Sequence, residues 1–116
     1  MSFIEQLFQI LDGVLPNRVS YGTNIVDANV HHVYPFIVYQ EISDRVQYYA
    51  DNIAAVRIIT YQITLVTESK NPIFEEQLES ALYQSGFNYQ MITEYVNDDN
   101  SVTRVYEIKQ EEIKYE

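Results

Sequence analysis

The segment 56–95 constrains the fold of this chain more than any other, because a strand, a capped helix and a second strand follow one another in it. Its first part alternates apolar and polar side chains, which is typical of a half-buried strand. The apolar row consists of Ile59, Tyr61, Ile63 and Leu65. Asn71 and Pro72 suit the N-cap and first position of a helix, and Gly86 suits its C-terminal cap. An alternating run from Phe87 predicts the next strand, so the layout is β-α-β.

The N-terminal residues predict an amphipathic helix. Ser2 and Glu5 form a capping-box pattern, and the helix is expected to end near 12–13, before Pro16. The residues of its broad apolar face are Phe3, Ile4, Leu7, Phe8, Ile10, Leu11 and Val14. This face is wide for a helix that rests on a sheet, which leaves part of it for contact with another subunit.

The remaining segments are predicted from their alternation and their turn residues. They are a loop over 17–34 with a short strand near 19–25, a strand over 36–42, a turn or bulge at 43–45, further strand over 46–50, a turn at 97–100 and a return strand over 102–108. The order α-β-β-β-α-β-β indicates an α+β fold. In it, the N-terminal helix and a second helix pack on a mainly antiparallel sheet of four to five strands. The length, 1–116, is that of a single domain.

The charge balance excludes several classes of partner. Seven basic and seventeen acidic residues give a net charge of −10, and the basic residues are scattered along the sequence. Tight binding to nucleic acid needs clustered Lys and Arg, and so does docking to an anionic membrane. No apolar run approaches the length of a membrane span, and the N-terminus lacks the basic region of a signal peptide. The absence of cysteine excludes disulfides and thiolate sites and fits a reducing cytoplasm.

Metal binding is not expected from the residues that could provide it. His31 and His32 are adjacent, so their side chains point in different directions and rarely bind one metal together. Asp98 and Asp99 lie in a turn cluster that lacks the spacing of a calcium loop, which favours a solvated turn. No cofactor is therefore predicted.

An enzyme is not predicted either. Glu75, Glu76 and Glu79 could be interpreted as paired carboxylates for acid–base chemistry. On a helical wheel they lie opposite the apolar stripe, so a solvated helix face is expected instead. The stripe consists of Phe74, Leu78, Ala81 and Leu82. No nucleophile, phosphate-loop or dinucleotide motif occurs, and the chain has only three glycines.

The tyrosine content points to contact surfaces. The chain has eleven Tyr and no Trp, and tyrosine is enriched at protein interfaces. Tyr83 is expected to project from the acidic side of the second helix, between Glu76 and Glu79. Tyr48 and Tyr49 are adjacent on a predicted strand, so one of them faces away from the core. These five residues are the predicted partner-binding set.

Several segments together resemble the small tail-completion proteins of long-tailed bacteriophages. These segments are the opening helix, the strands at 35–39 and 61–67, the helix at 75–82 and the run at 86–89. Such proteins are also called tail terminators or tail-to-head joining proteins, and the chain is most similar to those of phages with Gram-positive hosts. The resemblance extends from about residue 3 to about residue 113.

The resemblance implies a structural role without catalytic residues. Proteins of this family form a ring, usually a hexamer, that caps the finished tail tube and joins it to the head connector. The expected partners are other copies of the chain, the major tail tube protein and the connector protein. The expected location is the tail–head interface of the virion, after assembly in the host cytoplasm. DNA would pass through the ring without binding tightly. We expect edge strands at 36–42 or 102–109 to pair between neighbours.

Two other functions stay open at this stage. The chain could be a head-completion protein or another minor tail component of the same particle, because these proteins share its composition and fold. It could also be an acidic cytoplasmic adaptor or inhibitor that binds a basic partner.

Overall fold

The computed structural model describes residues 2–22, 34–48 and 54–115. The elements follow the predicted order, with two helices and five strands, so the α+β prediction is confirmed. Their bounds are α1 Phe3–Val14, β1 Val19–Tyr21, β2 Phe36–Tyr48, β3 Ala54–Thr67, α2 Pro72–Gln84, β4 Tyr89–Val96 and β5 Val102–Tyr115.

Both helices begin at the predicted caps. The Ser2 hydroxyl accepts a hydrogen bond from the backbone N–H of Glu5 at 3.2 Å, and the Asn71 side chain accepts one from the N–H of Phe74 at 3.3 Å. These side chains satisfy N–H groups that the first helical turn leaves without partners. After α2, Gly86 has φ +87°, the left-handed conformation in which the absence of a Cβ matters most.

The five strands form one sheet in the order β1-β2-β3-β5-β4. β1 runs parallel to β2, and all other neighbours are antiparallel. β3 and β5 pair along their whole length, from Ala54 opposite Tyr115 to Thr67 opposite Val102. The long β3–β5 ladder is therefore the centre of the sheet.

The prediction that 36–42 and 102–109 are edge strands is wrong. β2 lies between β1 and β3, and β5 lies between β3 and β4. The physical reason is visible in the burial of β5, where consecutive residues such as Val105 and Tyr106 are buried on opposite faces of the sheet. A strand that is buried on both faces belongs in the interior of a sheet, and the edges are instead β1 and β4.

The hydrophobic core lies between the helices and one face of the sheet. α1 contributes Leu7 and Leu11, and α2 contributes Leu78 and Leu82; all four side chains are fully buried. The sheet residues of this core are Ile37, Tyr39, Ile59, Tyr61, Ile63, Leu65, Tyr106 and Ile108. Helix-facing residues of β3 are thus the odd-numbered ones that the sequence pattern indicated.

β2, β3 and β5 continue beyond the helices as a three-stranded extension, which we call the arm (43–48, 54–60 and 109–115). It gives the molecule an elongated shape of 53 × 28 × 24 Å. The predicted turn or bulge at 43–45 is a bulge, because the register shifts between Glu41 and Ser43 while β2 continues. Within the arm, Arg57 pairs with Asp44 at 2.6 Å and approaches Glu112 at 3.9 Å, which links its three strands.

A hydrogen-bonded turn joins β4 to β5. One oxygen of Asp99 accepts from the N–H of Ser101 at 3.0 Å and from its hydroxyl, and the other accepts from the Tyr34 hydroxyl. Asn97 donates to the hydroxyls of Ser101 and Thr103 at 2.9 and 2.8 Å. The hydrogen bonds from Ser101 and Tyr34 lower the pKa of Asp99 to about 2. The expected solvated turn is therefore an ordered one, in which Asp99 fastens two parts of the chain.

Replacing Asp99 by Asn should destabilise the protein in a pH-dependent way. Because the folded-state pKa of Asp99 lies below its ordinary value of about 4, its contribution is complete above that value and disappears as the pH falls through about 2. We expect the melting temperature of Asp99→Asn to be below that of the unaltered protein at pH 6, and the gap to close towards pH 2. Thermal unfolding followed by circular dichroism at several pH values measures this gap.

Asp98→Asn is the matched control, because it removes the same charge from the same turn without touching the bonds to Tyr34 and Ser101. A gap of equal size in both variants, or one that does not change with pH, would contradict the assignment.

Candidate assembly surfaces

The structure brings three of the five predicted partner-binding residues together on α2. Tyr83 is the most exposed of the large hydrophobic side chains described, at 77% exposure, and Glu76 is exposed as well. Tyr48 is the last residue of β2, opposite Ala55 at the end of the arm. Tyr49 lies outside the described residues.

Glu79, the third of these α2 residues, is already bound within the chain. It is half-buried and accepts hydrogen bonds from the hydroxyls of Tyr106 at 3.0 Å and Tyr89 at 3.4 Å. Burial raises the pKa of Tyr106, so its hydroxyl stays a proton donor to Glu79. Tyr83 and Glu76 are consequently the freely accessible members of the predicted set on this helix.

The expectation that Glu75, Glu76 and Glu79 form one solvated face is wrong for Glu75, which is only 6% exposed. Glu75 follows the same helical spacing as Leu78 and Leu82, so it faces the sheet with them. A wheel built from apolar residues alone could not place it, because the group that makes its burial possible, Arg104, comes from a distant strand.

A network of charged side chains fills the space between α2, β4 and β5. Lys70 contacts Glu75 at 2.8 Å and Glu94 at 2.6 Å, and Arg104 contacts Glu94 at 3.0 Å. Arg104 also donates to the Tyr106 hydroxyl at 2.6 Å and lies 3.6 Å from Glu75 and 3.7 Å from Glu79. The hydrogen bond from Lys70 is the main reason that the pKa of Glu94 is lowered. The network ties α2 to β4, so the surfaces that they present keep a fixed relative position.

β4 is an edge strand with an unusually apolar surface. Its exposed large hydrophobic residues are Met91, Ile92, Tyr95 and Val96, with exposures from 42% to 67%. An exposed apolar edge is a template for association with another chain. Sequence reasoning missed this surface because it predicted a strand only over 87–91, whereas β4 extends from Tyr89 to Val96.

A groove between α1 and α2 is a second exposed feature. Ile10 and Val14 of α1 line one side of it, and Ile73 and Ala81 of α2 line the other. Phe8 is also exposed, at 39%. The apolar face of α1 is thus only partly used by the core.

The basic side chains are mostly engaged within the chain. Arg57, Lys70 and Arg104 form the ion pairs described above, Lys109 lies 3.9 Å from Glu107, and Arg18 donates to a backbone carbonyl at 2.8 Å. Among the basic side chains that the structure describes, only Arg45 has no such partner. The accessible charge of the surface is therefore predominantly negative.

Within 2–22, 34–48 and 54–115, no group of three or more His, Cys, Asp or Glu side chains is arranged to hold a metal ion. His31 and His32 lie outside these ranges. No helix in this part of the chain is long and apolar enough to cross a membrane.

Comparison with known proteins does not assign the chain to a family. No protein-family model matches it, and no curated protein matches it in sequence.

Removing Arg104 should destabilise the protein strongly. In Arg104→Met, the buried carboxylate of Glu75 and its neighbours would keep only Lys70 as a cationic partner. Loss of one partner of a buried ion pair costs about 3 kcal/mol or more, so we expect a fall of about that size in the free energy of unfolding. Urea denaturation followed by circular dichroism measures it.

The matched control is Arg57→Met in the arm, where the arginine side chain is 33% exposed instead of 17%. Exposed ion pairs contribute little, so we expect a much smaller effect there. Equal effects in the two variants would show that the network beneath α2 has no special importance.

Proposed function

We propose that this protein is a structural subunit of a bacteriophage particle, which caps the tail tube and joins the tail to the head connector as a ring of copies, usually a hexamer. The proposal starts from the resemblance to tail-completion proteins. The observation that carries it furthest is the apolar free edge of β4, which the Arg104 network holds in a fixed position beside α2. A subunit of a ring needs such a rigid surface for lasting contact with its neighbours.

The fold supports the same proposal. The resemblance implies a small mixed sheet with flanking helices, and the chain has five strands with one parallel pair and two helices on one face. In this proposal the protein acts through its shape and its contacts. Its partners are further copies, the tail tube protein and the connector, and it resides at the tail–head interface after assembly in the host cytoplasm.

A second candidate is favoured by the surface charge. Because the described basic side chains are mostly paired internally, exposed carboxylates such as those of Glu68, Glu76 and Glu111 dominate the surface. An acidic adaptor or inhibitor that binds a basic partner would need this kind of surface. Such a protein would not be part of the particle.

Electron microscopy of phage particles made without this protein distinguishes the candidates. For a tail-completion protein we expect overlong or unattached tails, because nothing closes the tube or connects it to the head. Leaking full heads would instead indicate a head-completion role. Particles of normal length and attachment would contradict any role in the virion and would favour the adaptor.

The assembled ring should let DNA pass without binding it. Its subunits have a net charge of −10, and no cluster of free cations is present among the described residues to displace the counterions of DNA. We expect no retardation of duplex DNA in a gel at low salt. A variant with Glu68→Lys, Glu76→Lys and Glu111→Lys is the control, since it adds free cations to the same surface and should retard DNA. Strong retardation by the unaltered ring would contradict the proposal.

A further inference from the structure

The sheet has a free strand edge at each of its two borders. At one border β4 pairs only with β5, so its outer side is open over Tyr89–Val96; we call this the β4 border. At the other, the short β1 covers β2 only over 37–39. Among the described residues, no strand pairs with the outer side of β2 over 40–48, which we call the β2 border.

These two borders hold most of the exposed large hydrophobic side chains of the described residues. The β2 border exposes Ile42 and Val46, at 46% and 48%. The β4 border exposes the four residues named above. Exposed apolar surface that follows an open strand edge in this way indicates a contact with another β-structure, because strand pairing and apolar burial then occur together.

Each border also contains a bulge at an exposed isoleucine. The register shifts between Glu41 and Ser43 in β2 and between Met91 and Thr93 in β4, which places Ile42 and Ile92 at the two irregular positions. Protected edges usually carry Lys, Pro or an inward charge. β4 has neither Lys nor Pro, and its single charged residue, Glu94, is held by Lys70 and Arg104.

Charge identifies these borders as places where two copies of an acidic chain can approach each other. A net charge of −10 makes most pairs of surfaces repel. On the β4 border the carboxylate of Glu94 is neutralised within the chain. On the β2 border Asp44 is paired with Arg57, and the free cation of Arg45 offsets the exposed Glu41. Repulsion between copies is therefore small where β4 faces β2.

We propose that the β4 border of one copy packs against the β2 border of the next copy, strand edge against strand edge. This inference rests on the proposed ring. A contact between two different surfaces is head-to-tail, so it repeats from copy to copy and closes when the rotation allows. Contact of β4 with a second β4 would stop at two copies and would leave Ile42 and Val46 exposed.

Cysteine cross-linking tests this contact directly, because the natural chain has no cysteine. The variants are Ile42→Cys, Ile92→Cys and the double variant, each oxidised and separately treated with a short bis-maleimide so that a small difference in register does not prevent linkage. Each is assayed both as concentrated protein and bound to tail tubes. We expect the double variant to give a ladder of linked species up to the full ring, and a mixture of the two single variants to give linked dimers.

The single variants and a control pair define the contrary outcomes. Linked dimers from Ile92→Cys alone would show that β4 pairs with β4 and would overturn the proposal. The control is the double variant Phe8→Cys with Ile73→Cys, which places thiols at exposed apolar positions on the helices. A ladder as complete from this control as from the border variant would show that the linkage is unspecific and would also overturn it.

The two proposals fail in different ways. Tubes that are capped by a ring of the double variant without any linkage between positions 42 and 92 would overturn the border contact and leave the proposed function intact. A ladder from protein that neither caps tubes nor enters particles would support the border contact and contradict the proposed function. Absence of linkage both in concentrated protein and on tubes counts against the border contact.

Discussion

The pairing of β3 with β5 along their full length is the interaction on which the rest of the structure depends. It places Tyr106 and Ile108 beneath the helices and continues beyond them into the arm. It also separates β3 from β4, although the two are joined through α2, and so leaves β4 at the edge. Core, arm and open border therefore all follow from one ladder of backbone hydrogen bonds, whose position is fixed because one face of each strand must be buried.

The charged network beneath α2 shows how a strongly acidic chain uses its few cations. Arg104 and Lys70 are placed where three carboxylates from different elements meet, and together they connect α2 with both strands of the β4–β5 hairpin. A buried ion pair adds little net stability compared with apolar packing, but it specifies one geometry, since any other leaves a charge unpaired. Here the specified geometry fixes an edge strand relative to an exposed helix face that bears Tyr83.

The local features of the fold could be predicted from the sequence, and the neighbour relations could not. The caps at Ser2 and Asn71 and the left-handed Gly86 depend on residues close in sequence, and they are present as expected. The edge strands were misassigned because alternation identifies a strand without identifying its neighbours. Glu75 was misplaced for a related reason, since its burial depends on Arg104, which lies far along the chain. The apolar border of β4 was missed because its exposure depends on which strands are beside it.

The position of β5 within the sheet also determines when the molecule can fold. It comes after every other described element in the sequence, yet it occupies an interior place and contributes Tyr106 to the core. Its pairing with β3 is distant along the chain, with Ala54 opposite Tyr115, and such contacts form slowly because a long loop must close first. A nascent chain that has emerged from the ribosome only as far as α2 therefore holds helices and a partial sheet without a closed core. Folding is completed after synthesis of the strand that joins the two halves.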